Sequence, residues 1–305
     1  MLARFSAADS TAQRYVRAAS VLGTQFRPTV AAAIADLPAE QAAATIEALF
    51  RADLFRGDDA GWVRFRHALI RQAIYDDLPP PARAYLHERA FRALLIAGVP
   101  VGEAAEHAIA AGLFGDAQAI EALTGAGRAA LHAGAVQAAR RYLDAAAGLA
   151  GNNAPVALQI DLAQALLAGG AAEAAAALLD RVLTRPGLPA PARLSAQLLL
   201  GQAAFHTGAV QRAGELFDTV AAASGNSDPE LARKALLDHT LQSWARLGPG
   251  AALPVADRAR SLAVRARGYQ HACAEDRRGL RGVRCAGTAH PRVGYCGPLT
   301  HPVRS

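Results

Sequence analysis

Read from its residues alone, this chain should be mainly α-helical. A compact unit of helices and one hairpin is expected over residues 1–80, a row of stacked helical hairpins over 81–267 and an irregular tail over 268–305. Three observations lead there. Alanine dominates and aromatic residues are few, which suits helices that touch closely. Glycines recur at 134, 170 and 208, each followed by the same apolar spacing. After Arg267 that periodicity collapses into glycine, proline and scattered cysteine.

In order along the chain, Ser10 is a candidate N-cap for a helix from Thr11 to about Leu22, closed by Gly23. Pro28 suits the first turn of a second helix, which should run to about Ala35. A third helix, from Ala39 to about Ala52, should turn Ile46, Leu49 and Phe50 inward. Residues 53–56 and 62–65, joined by the Gly57–Gly61 turn, read as a small hairpin. The helix from Ala68 to Asp77 should bury Leu69, Ile70, Ala73 and Ile74 before Pro79–Pro81 stop it. Three helices, a hairpin and a closing helix make a winged helix. Its third helix carries Glu40 and Glu47 against Arg51, a charge pattern that repels phosphates, so no direct DNA contact is expected.

The repeats follow. Gly134 precedes Ala139, Leu143 and Ala146; Gly170 precedes Ala175, Leu179 and Val182; Gly208 precedes Ala213, Phe217 and Val220. The glycines are 36 and 38 residues apart, close to the ~34-residue tetratricopeptide (TPR) period. Gly127, Ala163 and Gly201 fall where the two helices of a pair should cross closely. An incomplete repeat is expected from Glu103 to about Leu123, and a degenerate one after Pro229, with helices to Leu247 and from Ala251 to Arg267. Each hairpin leaves an apolar face that only its neighbour can cover. One residue past the small position, Arg128, Gln164 and Gln202 should line one wall of a groove. Leu131, Leu167 and Phe205 should form its floor, open to a protein or small-molecule effector.

Net charge is +6, but residues 268–305 supply +4 of it, so the folded body is near neutral and carries no nucleic-acid footprint. No long uncharged apolar stretch suggests a membrane span, no leader pattern opens the chain, and the cytoplasm is the expected location. Cys273, Cys285, His290 and Cys296 lack the paired spacing of a zinc site, and no metal is expected. Lys234, the one lysine, has no glycine loop around it, so a phosphate-binding loop is absent and no enzyme activity or resident cofactor is expected.

The segment from Phe65-Arg66-His67 through Ala68–Tyr75, the proline break and the Leu86-His87 helix resembles the end of the ATPase module in large LuxR-type transcriptional regulators, members of the STAND class of signal-transduction ATPases. In order and kind the resemblance spans residues 10 to 265. It implies a winged helix that packs on a nucleotide-binding domain and a helical-repeat sensor behind it. It also implies ATP or ADP as cofactor of the full-length family, supplied with a P-loop domain that this chain lacks. His67 matches the family histidine that contacts the ADP phosphate, although its neighbours depart from the usual Met-His-Asp. Measured against that family, the chain begins late and ends before the DNA-binding helix-turn-helix.

Overall fold

The computed structural model describes residues 9–225 and 227–261. Its first helix, α1 (Ser10–Val21), buries Tyr15, Val16, Ala18 and Ala19, and the N-cap is Asp9 rather than Ser10. Strand β1 (Gln25–Phe26) follows, a two-residue element too short to leave a periodic signature in the sequence. Helix α2 (Pro28–Ala35) opens on its proline and closes at Asp36 in the left-handed region. Helix α3 (Ala39–Arg51) buries Ala42, Thr45 and Leu49, while Phe50 stays exposed and Ile46 is only partly covered.

Strands β2 (Phe55–Gly57) and β3 (Val63–Phe65) form the expected hairpin, and β1 adds to its other side in the antiparallel order β1-β3-β2. Alternation sends Phe55, Val63 and Phe65 inward and Arg56 and Arg64 outward. Inside, Phe55 meets Phe65 edge-on at 4.9 Å between ring centres and Phe26 at 5.5 Å. The Tyr15 hydroxyl donates to the Pro28 carbonyl at 3.1 Å, and burial pushes its pKa upward. Helix α4 (Ala68–Asp76) closes the unit but buries only Ile74 fully; Leu69 is 83% exposed, so the expected four-residue inner face is narrower than its spacing implied.

Helix α5 (Pro80–Ile96) packs both on α1 and α2 behind it and on α6 (Val101–Ala111) ahead. The core is therefore continuous from Tyr15 to Leu200, with no break at residue 80. Then come α7 (Ala117–His132) and α8 (Val136–Ala150), α9 (Val156–Ala168) and α10 (Ala172–Leu183), α11 (Ala190–His206) and α12 (Val210–Ser224), and finally α13 (Pro229–Leu247) with α14, helical over 249–261. The incomplete repeat expected from Glu103 to Leu123 is corrected. Residues 101–111 are the second helix of a pair begun by α5, and Ala117 starts the next pair.

Each pair turns on a glycine at positive φ, +73° at Gly134, +78° at Gly170 and +87° at Gly208, where any side chain would be strained. Leu143, Leu179 and Phe217 are buried one helix later, as are Ala139, Ala175 and Ala213. Consecutive helices pack on one another, and first helices also touch first helices, α7 to α9, α9 to α11 and α11 to α13. The result is a mainly helical, TPR-like array. No helix among the described residues is long and apolar enough to cross a membrane. The cysteines and residues 268–305, expected to form an irregular tail, lie outside the described residues.

Candidate interaction groove

The stacking of first helices builds the groove. A cavity of about 560 Å³ lies between α9, α11 and α13, and four expected residues line it: Gln164, Leu167, Gln202 and Phe205. Arg128 and Leu131 sit on α7, one pair earlier and outside this cavity. Arg128 is occupied there, its Nε donating to Asp161 at 2.7 Å. The groove is thus shorter than the six-residue face expected from the repeats.

Residues on α13 complete the cavity: Lys234, Asp238, Leu241, Gln242 and Trp244. A repeated hydrogen bond reveals their register. Arg128 reaches Asp161, which stands three residues before Gln164; Gln202 reaches Asp238 at 2.6 Å in the same manner. By that offset Leu241 continues the row Arg128, Gln164, Gln202, and Trp244 continues Leu131, Leu167, Phe205. The last step is 39 residues, against 36 and 38 before it, and this drift hid both positions in the sequence. Counting back from Gly248 would have missed them too: the rows lie six and three residues before the turn glycine in the earlier pairs, but seven and four before Gly248.

The groove is greasy and lightly charged. Leu241 and Trp244 are 64% and 63% exposed, an uncommon display for large apolar side chains on a helix whose other face is buried. Beside them, Leu241 and Trp244 continue into a small apolar recess against Pro249, Ala252 and Leu253 of α14. Arg246 lies over the Phe205 ring at 5.3 Å. Gln242 is buried, donates to the Val210 carbonyl at 3.0 Å and anchors α13 on α12, leaving its own oxygen without a partner. Lys234 stands exposed at the rim and makes no hydrogen bond or ion pair among the described residues. Apolar floor, amide walls and a cationic rim suit a peptide carrying apolar anchors and a carboxylate.

His67 lies at the opposite end of the chain, exposed and immediately before α4, with no side-chain cap to the helix. Two histidines from neighbouring helices come together near the start of the array. His87 and His107 meet at 2.8 Å between Nδ1 atoms, and the Tyr75 hydroxyl lies 3.0 Å from the other His87 nitrogen. Burial, then the Arg83 charge, lowers the His87 pKa; burial, then His87, lowers that of His107 to about 4. Among the described residues no three His, Cys, Asp or Glu side chains gather to hold a metal.

No protein-family model and no curated protein matches this chain. Among solved structures, a crystal structure of a kinesin light chain from Podospora anserina, described as having nearly identical TPR-like repeats, is 21% identical. The match covers 62% of this chain and 99% of that one, with a TM-score of 0.44. At this distance nothing that the neighbour binds transfers to this chain.

Proposed function

We propose that this chain is a protein-interaction adaptor that takes a peptide segment of a partner into the groove between α9, α11 and α13. The observation that carries it is the cavity itself, lined by Phe205 and Trp244 at equivalent positions of successive pairs and by Leu241 one turn before Trp244. An apolar anchor of the partner seats against these three. Gln164 presents its amide to the peptide backbone and Gln202, whose nitrogen is held by Asp238, its amide oxygen, and a carboxylate of the partner meets Lys234. Selection of displayed peptides on the full chain tests this. Enriched sequences should combine two apolar residues with a nearby Asp or Glu, and Trp244→Ala or Phe205→Ala should weaken each by tenfold or more, about 1.4 kcal/mol. Peptides indifferent to both substitutions would sink the reading.

A second reading rests on the N-terminal unit. The order α1, β1, α2, α3, hairpin and α4, leading directly into the array, agrees with the order expected of a winged helix, and that agreement is what supports the LuxR-type, STAND-class reading. On this reading the chain is the sensor portion of an ATP-dependent transcriptional regulator. It would itself neither hydrolyse ATP nor hold DNA. A P-loop domain on another polypeptide would supply the nucleotide site, and His67 would reach the ADP phosphate. Adding such a domain should then create ADP affinity that His67→Ala removes. Unchanged affinity in that variant rejects the role of His67.

A further inference from the structure

The outer face of the small sheet carries a charge arrangement that the folding of the chain does not explain. Arg56 on β2 and Arg64 on β3 are direct partners across the antiparallel pair. Like charges so placed repel and weaken a sheet. Both line a cavity of about 540 Å³ together with Arg66, Arg71 and Thr24, and the floor reaches Ala68, the first residue of α4. Four arginines therefore line one concavity.

Their compensation is incomplete. Asp53, held at positive φ just after α3, pairs with Arg56 at 2.9 Å and with Arg66. It is the one carboxylate paired with any of the four among the described residues. Arg71 spends one nitrogen on the Ser20 carbonyl at 3.0 Å and another on Gln72, while its Nε is buried with no partner. Arg64 has no partner at all among the described residues. The start of α4 adds uncapped backbone N–H groups on the same side, since His67 supplies no side-chain cap.

From this we infer that the cavity is a binding site for a small anion bearing two or more phosphoryl groups. Arginine forks match phosphate oxygens in pairs, and a multiply charged guest relieves the Arg56–Arg64 repulsion. A concave pocket favours a small guest over a nucleic-acid backbone. The neighbouring helix α3 points the same way, since its Arg51 is tied to Glu47 and extends no basic track. This site is at the far end of the chain from the peptide groove, and the two stand or fall separately.

The experiment uses the full chain, with titration calorimetry and thermal melts in inorganic pyrophosphate, inositol hexakisphosphate, or sodium chloride of matched ionic strength. Arg64→Gln is the decisive variant, because its side chain supports nothing else. The expected results are saturable binding of pyrophosphate, a melting temperature raised beyond the salt control, and at least tenfold weaker binding in Arg64→Gln. Without any ligand, Arg64→Gln should melt at or above the wild-type temperature. If inositol hexakisphosphate binds better with the same Arg64 dependence, the guest is an organic polyphosphate; if pyrophosphate does, it is an inorganic one. Melts that only follow ionic strength, or binding unchanged in both Arg64→Gln and Arg56→Gln, would overturn the site. So would Arg64-dependent binding of duplex DNA without any pyrophosphate response, which would make this face a nucleic-acid surface.

Discussion

Gly201 faces Phe217 so closely that an added Cβ would lie 2.7 Å from the ring, and at Gly127 it would lie 2.5 Å from Leu143. The middle pair carries Ala163 at the same place, buried opposite Leu179, so the site accepts a methyl group only where the facing side chain makes room. Gly201→Ala should gain about 1 kcal/mol of helix propensity and lose about 1–3 kcal/mol to overpacking. The expected net effect is a loss of roughly 1 kcal/mol in urea unfolding, and Phe217→Leu should recover part of it. The His87–His107 pair makes a second prediction at this scale. Both groups are held below the ordinary histidine pKa, so they fold neutral and must charge to protonate. Stability should be full above about pH 6.5 and fall as pH drops towards 4, by on the order of 2–3 kcal/mol. His107→Gln should flatten the dependence of melting temperature on pH over that window; an equally steep fall in the variant would show that the pair is not its source.

Among the elements, α13 differs most from its equivalents. Its inner side holds Ala232, Ala235, Leu236 and Ser243 in the core, yet its groove side leaves Leu241 and Trp244 open. Trp244→Ala should therefore cost little stability, under about 1 kcal/mol by thermal melt, because most of that ring is already in water. A large loss would mean the ring is a packing residue and not a contact for a partner. Helix α5 is the opposite case. It packs on α1, α2 and α6, buries Ala90, Phe91 and Leu94, and ties the sheet-bearing unit to the array. The hairpin at β2 and β3 was legible from its turn residues and aromatics. Strand β1 was not, because two residues have no period to detect.

Across the whole molecule, stability should distribute along the row. The apolar interior divides into a long cluster from Tyr15 to Leu200 and a shorter one from Leu198 to Ala259. Ending the chain at residue 227 removes α13 and α14 and uncovers only the last of these layers. The shortened chain should keep its helical circular dichroism, melt at a lower temperature and show a smaller urea slope, since less surface is buried. Complete unfolding would show that the row behaves as a single cooperative unit.

By themselves, the residues determined the helices, their turns and the close crossings, because these depend on spacing within about 40 positions. Gly134, Gly170 and Gly208 mark turns wherever the hairpins go, and Gly127 and Gly201 mark crossings from the size of a side chain alone. Four groove residues were readable for the same reason. Only the folded arrangement decided what those periods bring together. It set Leu241 and Trp244 in register after a longer step, paired α6 with α5, joined His87 to His107 and laid Arg56 opposite Arg64. The physical reason is that a pairing between elements follows from how their surfaces dock, and docking depends on the shapes of both partners. A local pattern describes only one of them.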